Sequence, residues 1–195
     1  MKAKILGLNA ARVYEVDADE VKRALYHKIA VLAENGLGND ERAAAAYLKA
    51  LDLPGGDLQA AEALEQIYGR TSDYQRLVGL YERKMAIVQD VDERKALGFK
   101  AAKVHEEVLE NPERAIAVYQ QILNSDESDR QALSQLERLY TRLQRWDDLK
   151  DVYTRNADLA SDPHDKKQRL FVLGQVYDRE LNNPEKAIET YSAIL

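Results

Sequence analysis

The side chains able to do chemistry in this sequence are sparse, and they do not converge. There is no cysteine, which excludes disulfides, thiolate nucleophiles and cysteine-ligated zinc and suits a reducing or an oxidising compartment equally. The three histidines, His27, His105 and His164, are scattered and offer no ligand spacing for a metal. Neighbouring carboxylates such as Glu106-Glu107 and Asp147-Asp148 sit where the sequence pattern places exposed helical faces, and acids there solubilise rather than share a proton. Pro54-Gly55-Gly56 is a connector, because it lacks the Lys and Ser/Thr that a phosphate-binding loop needs. The expectation is a non-enzymatic chain with no cofactor and no metal, and recognition is the chemistry that remains.

That chemistry lies in stripes of basic and amide side chains at helical spacing. Ser134, Gln135, Arg138, Thr141 and Arg142 share one face, and Phe99, Lys100, Lys103, Glu106 and Glu107 share another; Lys28, Arg70, Gln175 and Arg179 extend the set. Two readings stand: solvated helix faces, or a surface on which arginines grip the carboxylates of an acidic segment through paired hydrogen bonds. The chain as a whole is acidic, with 28 Lys+Arg against 34 Asp+Glu and a net charge of −6. It lacks the diffuse positive field that gives nucleic-acid binders most of their non-specific affinity, so no nucleic-acid partner is expected. Nothing approaches the ~20 apolar residues of a membrane span, and Ile5-Leu6-Gly7-Leu8 is too short for the core of a signal peptide. A cytoplasmic chain without membrane contact is the default expectation.

The elements that carry these stripes follow from an internal repeat. Gln59 to Leu123 aligns without a gap on Gln131 to Leu195, an offset of 72, with 22 of 65 pairs identical. The same offset carries Val21 to Leu51 onto Glu93 to Leu123 with 13 of 31 pairs identical. Each period splits in two, since Tyr47, Tyr81, Tyr119, Tyr153 and Tyr191 are 34, 38, 34 and 38 apart. Apolar residues recur at three and four within every module, as in Leu133, Leu136, Leu139, Tyr140 and Leu143, and strands find no support. Breakers such as Asn111-Pro112 and Asn183-Pro184 suit a helix capped by Asn with Pro in its first turn. The reading is all-α: a leading unpaired helix at 2–16, then antiparallel helix pairs over 21–51, 58–88, 93–123, 129–160 and 165–195, about eleven helices in one domain. Eight of the eleven tyrosines occupy the repeated slots and read as core anchors. Trp146 and His105 read as packed residues in the same way.

Over about residues 20 to 195 this pattern resembles the tetratricopeptide repeat, whose modules place large, small and aromatic residues at fixed positions on two helices. The best agreement is Leu173-Gly174-x-x-Tyr177 followed by Ala187, Tyr191 and Ile194, and Ala43, Tyr47 and Ala50 also fit. Glu65 and Glu137 depart from it in a small-residue slot, as do Lys84 and Asn156 in another, which puts close packing at those modules in question. The resemblance implies a right-handed superhelical solenoid whose first helices line a concave peptide-binding surface. It places Lys28, Phe99, Lys100, Lys103, Arg138, Arg142, Phe171, Gln175 and Arg179 in a groove for a protein or peptide partner, acidic by the charge of those residues. Charge reversal at Arg138 and Arg142 is then expected to abolish binding at little cost in stability, as for exposed charges.

Phe99 and Phe171, the only phenylalanines, are 72 apart, and His27 holds the slot before them. They either wedge against the neighbouring module or anchor a ligand. The Lys/Asn pairing by which the family clamps chaperone tails is missing: the corresponding positions are His27/Val31, Glu62/Gln66, Phe99/Lys103, Ser134/Arg138 and Phe171/Gln175. The alternatives to a groove-binding scaffold are a structural element that stacks end to end and a segment of a longer array, because 2–16 has no first helix and Leu195 has no polar cap after it. Residues 4–14 are also similar to the closing helix of amidohydrolase-type metal hydrolases. The barrel and metal-binding histidines of that family are missing, and the stretch reads as chance or a fusion scar.

Overall fold

The computed structural model describes residues 18–195. The helix expected at 2–16, with its hydrolase-like stretch, lies outside those residues. The regular structure of the described residues is entirely helical: α1 (Ala18–Val31, run on by a π-helical turn Leu32–Gly36), α2 (Asp40–Leu51), α3 (Leu58–Arg70), α4 (Tyr74–Ile87), α5 (Val91–Glu107), α6 (Pro112–Ser125), α7 (Arg130–Arg142), α8 (Trp146–Asp158), α9 (Pro163–Gln175, run on by a π-helical turn Val176–Glu180) and α10 (Pro184–Ser192). The chain divides into two compact units between Arg94 and Lys95, in the first turn of α5. In the first unit α1 packs on α2, α2 on α3 and α3 on α4; in the second α6 packs on α7, α7 on α8, α8 on α9 and α9 on α10. Short connectors make these neighbours antiparallel.

Helix starts follow from capping. Asn39, Asp73, Asn111 and Asn183 each accept a hydrogen bond from the backbone N–H three residues on, and Asp57, Asp129 and Asp162 do the same. Helix ends explain the unequal modules. From cap to cap a first helix takes 16 residues in the short pairs (Asp57 to Asp73, Asp129 to Arg145) and 21 in the long ones (Asp90 to Asn111, Asp162 to Asn183). Five extra residues exceed one α-turn of 3.6 residues, and the surplus is taken up where the helix closes. In the short pairs the closing bonds span five residues, Asp73 N–H to Tyr68 C=O and Arg145 N–H to Tyr140 C=O, both 2.9 Å. In the long pairs they span six, Asn39 to Ala33 at 2.9 Å, and Asn111 to His105 and Asn183 to Tyr177 at 2.8 Å. All five closures need a left-handed residue: Gly38, Ser72, Glu110, Gln144 and Asn182 have φ between 47° and 60°.

The core repeats with the sequence. Ala30, Ala43 and Ala60 recur 72 residues on as Ala102, Ala115 and Ala132, all at 0% exposure, so helix backbones approach closely at the same places in both units. Around the second set Leu133, Leu136, Leu139 and Leu149 fill the interior, with Trp146 half-buried against them. The repeated tyrosines are anchors, and three carry a ring on top: His27 on Tyr47, Phe99 on Tyr119 and Phe171 on Tyr191, with centroids 5.5, 5.7 and 5.8 Å apart. Each ring therefore packs on the second helix of its own pair.

In the first unit the two departures from the family pattern meet each other, and in both units the acid meets a tyrosine. Glu65 accepts from Tyr81 Oη at 3.1 Å and from Lys84 Nζ at 2.9 Å, and Glu137 accepts from Tyr153 Oη at 3.1 Å. In the first unit acid, tyrosine and lysine thus stand where small residues would close the space by contact alone.

Two outcomes follow for stability. Gln144→Gly removes a left-handed strain of about 1 kcal/mol, less the added freedom of glycine when unfolded, and should raise the melting temperature; Gly38→Ala, whose added methyl meets nothing within 4 Å, should lower it. Burial first, and the adjoining glutamate second, push the phenols of Tyr81 and Tyr153 up to about 12. A raised folded value means this contribution is whole below the ordinary 10.0 and lost as pH rises through about 12. Urea unfolding of Tyr81→Phe/Tyr153→Phe should show a weaker alkaline loss than the parent, at a cost of about 1 kcal/mol per hydrogen bond at neutral pH.

Candidate functional site

The most extended polar surface among the predicted site residues lies between two first helices of the second unit. Phe99, Lys100, Lys103, Glu106 and Glu107 recur at three- and four-residue spacing on α5, and Gln131, Gln135 and Arg138 face them from α7 across a groove of about 560 Å³. The helices are tied at both ends of that groove. At one end Lys95 Nζ meets Asp129 at 2.9 Å while Asp129 also caps α7, accepting from the Ala132 N–H at 2.7 Å. At the other end Arg138 binds both oxygens of Glu106 through two nitrogens at 2.6 Å, and Arg142 reaches the same carboxylate at 3.0 Å. The ties are 11 residues apart on α5, roughly 16 Å along the helix.

Charge at the second tie is unequal. The Glu106 side chain is 6% exposed, whereas those of Arg138 and Arg142 are about half exposed. The Arg138 hydrogen bonds hold the Glu106 carboxyl below the usual carboxylate range against the opposing effect of burial. Glu106 is therefore a buried counter-ion, unlike the exposed acid expected from its pattern, while Glu107 beside it is exposed and lies 3.8 Å from Lys103. Charge reversal at Arg138 and Arg142 would leave that buried carboxylate without a partner and facing like charge, which makes it costly rather than neutral.

The first unit repeats this frame. Asp57 caps α3 through the Ala60 N–H at 3.0 Å and meets His27 at 2.7 Å and Arg23 at 3.5 Å, while Glu34 pairs with Arg70 at 2.8 Å. Glu34 and Arg70 become Glu106 and Arg142 on adding 72. That recurrence of an acid and an arginine is visible in the sequence and was the available signal for the tie; the burial of the acid was not.

Of the predicted site residues, Phe99, Lys100, Lys103 and Arg138 line one groove, with Arg142 joined to it through Glu106. Phe99 has one side on Tyr119 and contributes the other to the groove. Lys28 is exposed on α1 in the first unit. Phe171 is 51% exposed on Tyr191, Gln175 is half-buried and Arg179 is exposed, and none of the three lines the α5–α7 groove. Among the described residues no three His, Asp or Glu side chains converge as metal ligands. No described helix is long and apolar enough to cross a membrane.

The family model for the tetratricopeptide repeat matches residues 60–95 and 132–167. The two segments are again 72 apart, and they contain the short pairs α3/α4 and α7/α8. The family's regular length fits these better than the long pair at 165–195 that holds the best signature agreement, because the long first helix carries an extra turn and a wide closure. Similar solved structures include YrrB, a TPR protein with an unusual peptide-binding site (22% identity, 94% of this chain and 87% of that one, TM-score 0.44). Others are MamA of AMB-1 (16%, 90% and 91%, 0.45) and BtubC from P. vanneervenii (21%, 95% and 84%, 0.42). At these scores the likenesses add no argument, and no curated protein matches the sequence. The helix pairs, their 72-residue recurrence and the two matched segments give this chain the tetratricopeptide-repeat pattern over those residues.

Proposed function

We propose that the chain is an interaction scaffold that takes an extended or helical acidic segment of a partner protein in the α5–α7 groove. The observation that carries this reading is the pair of guanidinium groups on one buried carboxylate. Arg138 and Arg142 bring two positive charges to Glu106, which supplies one negative charge, and both remain about half exposed. A second carboxylate, from a partner, finds two arginines already oriented, so little side-chain freedom is lost on binding. Phe99 offers an apolar flank on the same wall, and Lys100 and Lys103 extend the positive edge. In a chain of net charge −6 this concentration of basic groups also steers an acidic segment to one place.

Short fluorescent peptides of acidic, neutral and basic composition test the reading by anisotropy. The acidic peptide should bind, with affinity falling as salt rises. Arg138→Lys/Arg142→Lys keeps charge opposite Glu106 but removes the forked donors, and should weaken that binding about tenfold with little change in melting temperature. Equal affinity for parent and variant, or equal binding of the basic peptide, would refute the groove.

A further inference from the structure

The internal repeat supplies a comparison within one molecule. In the first unit Lys84 on α4 is 7% exposed and its ammonium donates to Glu65 Oε2 at 2.9 Å, while Tyr81 donates to Oε1 at 3.1 Å. In the second unit the tyrosine and the acid are kept, with Tyr153 donating to Glu137 Oε1 at 3.1 Å. The lysine is replaced by Asn156, 8% exposed, and Val88 is replaced by Ala160. These shorter side chains leave a cleft of about 200 Å³ between α7, the end of α8 and α9, into which Asn156, Glu137 and Ser134 face. Among the described residues no group hydrogen-bonds the Asn156 carboxamide or Glu137 Oε2.

We propose that this cleft binds a primary ammonium group from outside the chain, at the place where the first unit carries its own. An ammonium has three donors, and Glu137 Oε2, the Asn156 carbonyl and the Ser134 hydroxyl are three acceptors on the wall. Three further charged groups face the cleft. Arg169 Nε donates to both oxygens of Asp165 at 3.0 and 3.1 Å, and Arg130, exposed at the rim, donates to the Leu159 carbonyl at 3.3 Å. With Asp165 engaged by Arg169, Glu137 is the half-buried carboxylate that keeps an oxygen unused, and that oxygen is where a cation would sit. The Asn156 carbonyl oxygen accepts nothing from the described residues, and a bound ammonium donates to it. The ammonium comes from a lysine side chain of a partner protein or from a free small amine, and the chemistry of recognition is the same. No residue lines both this cleft and the α5–α7 groove, so either site can fail alone.

The full isotope-labelled chain, titrated with Nα-acetyl-lysine amide, putrescine, Nα-acetyl-norleucine amide and Nα-acetyl-glutamate amide, tests this. Saturable shifts of the Asn156 side-chain amide are expected with the lysine derivative or putrescine, the tighter of the two assigning the source, and none with norleucine. Glu137→Gln, which still accepts from Tyr153, should weaken binding about tenfold, as for loss of a charged hydrogen bond. Asn156→Lys restores an internal ammonium and should abolish binding while raising the melting temperature. An equal response to the norleucine or glutamate derivative, or undiminished binding by Asn156→Lys, overturns the proposal.

Discussion

Where one first helix lies beside the next, a buried aspartate divides its two oxygens between two tasks, and the rest of each unit is built outward from that division. Asp129 gives one oxygen to the Ala132 N–H, starting α7, and the other to Lys95 on α5. Asp57 gives one to the Ala60 N–H, starting α3, and the other to His27 and Arg23 on α1. Both side chains are 7% exposed or less, so water cannot stand in for a lost partner. Helix start and helix spacing are thereby fixed together: moving α7 relative to α5 strips either a cap or a buried charge. The acid–arginine contact at the far end fixes the second point, and two points suffice to set the spacing between two rods.

A groove held in this way has an electrostatic consequence. The ties use carboxylates that are buried and cations that are partly exposed, so the acid of each pair is hidden while its base faces solvent. Glu106 at 6% exposure against Arg138 and Arg142 at about half makes the asymmetry plain. An acidic chain can therefore present basic ground in one place without any excess of basic residues, and the net charge of −6 misleads about the local field. The same asymmetry limits what can be changed there. Arg138 is the counter-ion of Glu106 as well as the group proposed for recognition, and only substitutions that keep its charge separate the two roles.

The fold was legible because its signals are periodic. Apolar spacing named the helices, Asn-Pro junctions named their starts, and the 72-residue offset showed that a pair of unlike modules is the unit. Pairing of departures was harder to read, since Glu65 and Lys84 stand 19 residues apart and each looks like a defect alone. Their meeting depends on the two helices of one pair facing each other, which the sequence implies only after the pair is drawn. At the site, the stripe on α5 was legible as residue types, but the sorting of Glu106 inward and Glu107 outward was not. Both lie on the same broad face of a helix, and which one is buried depends on the arginines of α7 reaching back across the groove. Phe99 was legible as an unusual ring and ambiguous in direction; Tyr119 settles its packed side.

Repetition with divergence is what separates framework from function in such a chain. Slots filled alike in both units, such as Ala30 with Ala102, Ala43 with Ala115, Tyr81 with Tyr153 and Glu65 with Glu137, are those the helix pair needs in order to close. Slots filled differently are free of that need. His27 and Phe99 both satisfy a tyrosine beneath them, yet His27 spends its second side on Asp57 while Phe99 leaves its own on a groove wall. Lys84 and Asn156 both stand beside an acid that a tyrosine holds, yet one fills the space and the other leaves it open. In each case the first unit satisfies within itself a contact that the second leaves available. The two openings have opposite chemical character, a basic groove between α5 and α7 and a cleft with an unused carboxylate oxygen between α7 and α9. A chain with one rigid module type could offer only copies of a single surface; two unequal modules, each free to diverge at slots the fold does not need, give the second unit two distinct ones.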